Sequence, residues 1–145
     1  MARDPDRFQG LAGFRFAMRR FLAASEAISR AAGVTQQQYQ ALLAIQAWSP
    51  EAMTMKDLAD QLLLTHHAAV QLVNRLTKAG LAARAPSPSD GRSVLLQLTP
   101  AGTALVDALA SQHLEEMLRQ EPLLTRSLRK LRRMGAEQEA GSDRS

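Results

Sequence analysis

The residues with the most chemistry to offer lie between Thr65 and Ala79. At ~100° per residue this stretch gathers Ala69, Leu72, Val73 and Leu76 on one side. His67, Gln71, Asn74 and Lys78 fall on the other, with His66 and Arg75 at its borders. The polar side holds no acid and no large apolar side chain. Gln and Asn can pair bidentately with an adenine edge, Arg reads guanine, and a cation of either kind suits phosphate. His67 and Gln71, close to the N-terminal end, are the best placed to reach base edges, whereas His66, Asn74, Arg75 and Lys78 suit phosphate equally well. Any solvated helix face is polar too, so the pattern alone leaves a solvated face and a base-reading face both open.

Other chemistries find less support. His66 and His67 are adjacent, hence ~100° apart on a helix, and a shared ion would need an i, i+4 pair. His113 and Glu116 have the i, i+3 spacing of a ligand pair, but a solvated face explains that spacing better. The chain contains no cysteine, which excludes disulfides, thiolate metal sites and a cysteine redox sensor. No nucleophile elbow, phosphate loop, zinc-protease motif or nucleotide fingerprint occurs. The expectation is a protein that is not an enzyme, with no metal and no cofactor.

The elements that must position the polar face can be read from caps and periodicity. Apolar residues from Phe8 to about Ala32 recur at helical spacing, and Gly33 can end that helix. Thr35 with Gln38 has capping-box spacing for a helix to about Trp48, before Ser49-Pro50 breaks the chain. Thr54 with Asp57 starts a short helix over about Met55 to Leu62, and Thr65 caps one that runs to Ala79, stopped by Gly80. Two short helices about a tight turn form a helix-turn-helix. Leu81 to Ala85 reads as a weak strand, Pro86 to Gly91 is turn chemistry, and Ser93 to Leu98 pairs back as a hairpin, or wing. Thr99-Pro100 opens a helix to about Gln120; Glu121-Pro122 interrupts it, and a last helix from Leu123 ends at Gly135. Residues 136–145 are polar, and residues 135–145 are expected to form a disordered tail.

This order resembles the MarR-type (multiple antibiotic resistance regulator) winged-helix transcription factors over about Phe8 to Met134. The run Met55-Lys56-Asp57-Leu58-Ala59 to Leu62 and the segment Val73-Asn74-Arg75-Leu76-Thr77-Lys78-Ala79-Gly80-Leu81 would fit any winged helix. Asp90-Gly91-Arg92-Ser93 leading into Leu98-Thr99-Pro100-Ala101-Gly102 narrows the likeness. The fold implied is mainly α with a small β-hairpin, as one domain over 1–145. In that fold 35–100 form the winged helix-turn-helix, and 8–32 with 101–134 are dimerisation helices. The resemblance further implies a homodimer binding double-stranded operator DNA. Thr65, His66, His67, Gln71, Asn74, Arg75 and Lys78 would be its contacts, with Arg92 as the wing's contact in the minor groove and Asp90 either holding Arg92 or bracing the turn. Where Gly91 stands many relatives carry a second basic residue, which implies weaker nonspecific affinity here.

Leu11, Phe14, Met18, Leu109, Leu128 and Leu131 are the interface candidates. Small aromatic or anionic effectors of the family bind between the dimerisation helices and the winged helix, so Arg15, Arg19, Tyr39 and Trp48 are the pocket candidates. Tyr39 and Trp48 at helical spacing fit an ordinary core equally. Two other readings stay open: a winged-helix module that binds protein, and a metal-responsive regulator using His113.

Composition bounds the rest. The chain has 145 residues, 46% hydrophobic and 22% charged, enough for one folded domain or one protomer of an oligomer. The formal charge is +4, almost all of its cations being arginine, which permits a phosphate-rich partner without demanding one. That excess is not concentrated in residues 54–100. No leader-like N-terminus and no apolar stretch of membrane-spanning length is present, so a cytoplasmic protein without membrane attachment is expected.

Overall fold

Four threonines set the starts of helices in this chain, whose computed structural model describes residues 5–89, 91 and 93–144. Thr35 Oγ1 accepts from the Gln38 amide at 3.1 Å while Gln38 Oε1 accepts from the Thr35 amide at 2.8 Å. Thr54 and Asp57 form the same reciprocal pair at 3.1 and 3.0 Å. Thr65 accepts from the Ala68 amide and Thr99 from the Gly102 amide, each at 3.1 Å. Each cap satisfies an amide that the first helical turn leaves unpaired.

The elements run α1 (Pro5–Ala31), α2 (Gln36–Trp48), β1 (Met53–Thr54), α3 (Met55–Leu62), α4 (His66–Lys78), β2 (Ala82–Pro86), β3 (Val94–Leu98) and α5 (Pro100–Ser142). The strands form an antiparallel sheet in the order β1-β3-β2, with Met53 opposite Leu96 and Ala82 opposite Leu98. The chain divides into two compact units. Residues 28–112 form one; the described residues 5–27 and 113–144 form the other.

The core of the 28–112 unit is built from Leu42, Met53, Leu58, Leu72, Val73, Leu76 and Leu96, all at 1% exposure or less. Removing such side chains from water is what fixes α3 and α4 against the sheet. In the other unit Ala17 is fully buried. A Cβ on Gly10 would come within 2.6 Å of Met134 Sδ, so α1 and the C-terminal part of α5 approach closely there.

Two expectations need correction, and the wing gains a strand. The expected hairpin forms from β2 and β3, and β1 joins it as a third strand; β1 is two residues long and its Thr54 also caps α3, so no alternating pattern announces it. Helix α5 is continuous through Pro122 and Gly135 to Ser142, where two helices and a tail were expected. Pro122 removes one backbone donor, whereas the flanking Leu, Arg, Lys, Glu and Gln are strong helix formers. Leu109, an interface candidate, is 1% exposed within the winged-helix core, so its apolar surface is already covered by its own chain.

The turn between α3 and α4 carries one strained residue. Leu63 adopts the left-handed conformation at φ 54° and is 93% exposed, so no packing offsets the cost of its Cβ. Leu63→Gly should raise stability by about 1 kcal/mol, read as a higher urea midpoint. An unchanged or lower midpoint would show that the turn is unstrained.

Candidate nucleic-acid interface

Helix α4 is locked in rotation by its buried side. Ala69, Leu72, Val73 and Leu76 are no more than 1% exposed. The opposite side is therefore fixed outward, and Thr65, His66, His67, Gln71, Asn74, Arg75 and Lys78 are all exposed, as the helical projection places them. Arg75 and Lys78 lie in the last turn, where a cation also complements the helix dipole. The Thr65 oxygen is occupied by its cap bond, which leaves its hydroxyl proton free to donate.

One participant escaped the sequence reading. Arg84 of β2 reaches back to α4, where its guanidinium donates to Asn74 Oδ1 and lies 3.5 Å from the Val70 carbonyl oxygen. It is the single charged residue in the weak strand Leu81 to Ala85, and that isolation was the available signal. Asp90 and Arg92 lie outside the described residues. Around them the Ser87 amide donates to the Ser93 carbonyl at 2.9 Å, and the Gly91 amide to the Ser87 carbonyl at 3.0 Å.

The Leu-Thr-x-x-Gly segment proves to be a structural clamp. Thr99 Oγ1 donates to the Gly80 carbonyl at 2.6 Å and the Thr99 amide to the Leu81 carbonyl at 3.1 Å. A Cβ on Gly102 would stand 2.0 Å from the Leu81 carbonyl oxygen, so only glycine allows α5 to start this close to the end of α4. Gly80 itself turns the chain from α4 into β2 at φ 74°.

The effector candidates fall in two different units. Tyr39 is 5% exposed in the core, and burial pushes its phenol above the ordinary tyrosine pKa. This corrects its assignment to a ligand pocket. Trp48 packs half-buried on the same core, while Arg15 and Arg19 are exposed on the part of α1 that belongs to the other unit. A cavity of about 610 Å³ does exist within the winged-helix unit, lined among others by Leu43, Leu98, Val106 and Asp107, but it includes none of those four residues.

His113 is 7% exposed and its Nε2 lies 3.3 Å from the Ser25 carbonyl oxygen. Hydrogen bonds from Gln120 and Arg119 hold the Glu116 carboxyl below the ordinary carboxylate range. His113 and Glu116 thus each have other partners, and among the described residues no group of three metal-ligating side chains occurs. No helix among these residues is long and apolar enough to cross a membrane.

A helix-turn-helix whose outward helix is followed by a small sheet and wing is the winged-helix arrangement. The pattern of the MarR family matches residues 32–93. Over those residues the chain is similar to the MarR family. It is 38% identical over 72 residues to the organic hydroperoxide resistance transcriptional regulator of Bacillus subtilis (strain 168), covering 50% of this chain and 48% of that protein. The chain spans less than half the length of the curated relatives it matches. Among solved structures, AbsC of Streptomyces coelicolor, a MarR family transcriptional regulator, superposes with a TM-score of 0.79 at 20% identity over 97% of this chain and 99% of that one. The MepR–DNA complex of Staphylococcus aureus superposes at 0.71 and 21% identity over 89% and 94%. These structural likenesses establish the fold.

Proposed function

We propose that the chain is a sequence-specific, double-stranded DNA-binding transcriptional regulator that acts as a homodimer on a pseudo-palindromic operator. The observation that carries this reading is the outer face of α4, acid-free and held outward by a fully buried opposite side. His67 and Gln71 read bases; Thr65, His66, Arg75 and Lys78 fix the helix on phosphate; Arg92 enters the minor groove, with Asp90 bracing it. Repression is the simpler mode, since occupying a promoter needs no contact with polymerase. A cytoplasmic location follows from that role.

The dimer is supported by where apolar surface remains. Phe8, Leu11, Phe16, Leu22, Leu114, Met117, Leu118 and Leu128 are each at least 46% exposed, and all lie in the unit of residues 5–27 and 113–144. A second copy that covers them would remove these apolar side chains from water. Leu11, Phe14, Met18, Leu128 and Leu131 are the interface residues in this reading. A small aromatic or anionic effector, with Arg15, Arg19 and Trp48 among its contacts, would control binding by preferring one spacing of the two recognition helices.

Binding of short duplexes at several salt concentrations tests the reading. Affinity should fall steeply with salt, and Arg92→Ala should weaken binding to every duplex with a shallower slope, by about one for the lost charge contact. Unchanged slope and affinity in that variant would remove the wing from the interface. No duplex binding even at low salt would leave the outer face to a protein partner instead.

A further inference from the structure

We infer that Arg84 is a specificity-determining positioning residue, which fixes the Asn74 carboxamide so that Asn74 meets the DNA as a hydrogen-bond donor. The inference rests on the DNA-binding reading of α4. A guanidinium has donors and no acceptor, so the Asn74 atom facing Arg84 must be Oδ1. The Nδ2 amine is thereby the end left without a partner among the described residues. Arg84 does not swing freely, because it also lies against the Val70 carbonyl one helical turn before Asn74. The Asn74 backbone is pinned as well, its carbonyl accepting from Thr77 Oγ1 at 2.9 Å.

This arrangement changes what Asn74 can read. An asparagine free at both ends pairs with adenine by accepting from N6 and donating to N7. With its oxygen engaged by Arg84, Asn74 favours a base that offers acceptors alone: guanine through O6 and N7, or thymine through O4. Arg84 stands ten residues away in sequence and would act on base choice without touching a base. A wing strand and a recognition helix are coupled through one side-chain pair.

The test is selection from a randomised duplex library by the full-length parent, Arg84→Met and Asn74→Asp, with salt dependence measured on the selected site. Arg84→Met keeps the aliphatic stem and removes the donor. It should shift one position in each half-site from guanine or thymine towards adenine, with the salt slope unchanged. Asn74→Asp keeps an acceptor for Arg84 and so stays folded, but it loses the outward donor and should bind the parent's site about tenfold or more weakly. A shallower slope with unchanged preference in Arg84→Met would make Arg84 a phosphate contact and overturn the inference, as would no change in either quantity. A parent that enriches no sequence would overturn the DNA-binding reading itself, an outcome distinct from a parent that selects a site which Arg84→Met reads identically.

Discussion

Gly102→Ala should destabilise the winged-helix unit by about 3 kcal/mol, more than any surface change in the same region. An added Cβ would sit 2.0 Å from the Leu81 carbonyl oxygen and 3.0 Å from its carbon. Both are backbone atoms, so no side chain can swing aside. Relief would require moving β2, which is paired with β3 through Ala82 and Leu98, or breaking the 3.1 Å bond from the Thr99 amide to Leu81. Gly13→Ala supplies the matched control: nothing lies within 4 Å of that position in α1, and the helical substitution should stabilise by up to about 1 kcal/mol. Urea unfolding of the two variants should move the midpoint in opposite directions. A Gly102→Ala loss below about 1 kcal/mol would mean that the start of α5 yields easily, and that the clamp does not hold the wing.

Gln71→Ala should leave stability untouched and alter recognition. Gln71 is exposed on α4 and its neighbour Leu72 carries the buried face, so truncation removes no core contact. What disappears is a side chain able to donate and accept at a base edge, worth about 1–3 kcal/mol of discrimination at one base pair. Preference should relax at one position in each half-site while nonspecific affinity and its salt dependence persist. If selection from a randomised library returns the parent's preferences unchanged, Gln71 is not a reader.

Most of the frame was legible because local chemistry decided it. The Thr35–Gln38 and Thr54–Asp57 pairs declared their helix starts, and both capping boxes formed. The rotation of α4 followed from the spacing of Ala69, Leu72, Val73 and Leu76, since a one-sided apolar pattern leaves a helix a single way to be buried. The misses share another cause: they depend on partners distant in sequence. Strand β1 exists only because Leu95 and Leu96 lie opposite Met53 and Thr54. Tyr39 and Leu109 carry no local mark that separates a core position from a pocket or an interface. Pro122 is a reliable breaker by propensity, yet a single missing donor did not divide a helix of 43 residues. Arg84 stood out only as the single charge of its strand; its role lies in reaching Asn74, and periodicity says nothing of reach across elements.

The formal charge of +4 was a weak guide for the same reason. Net charge reports the strength of a distant field, whereas reading a sequence depends on a few groups held in fixed places. Of the cations, Arg75 and Lys78 lie on the outer face of α4 in the proposed interface, where they fix the helix on phosphate, and a two-fold axis would double them.

The most direct test of the central claim is selection of duplexes from a fully randomised library by the purified full-length chain at low and moderate salt. The account predicts enrichment of a two-fold symmetric site with half-sites about one helical turn, ~34 Å, apart. A folded chain that enriches no sequence at either salt concentration would contradict it.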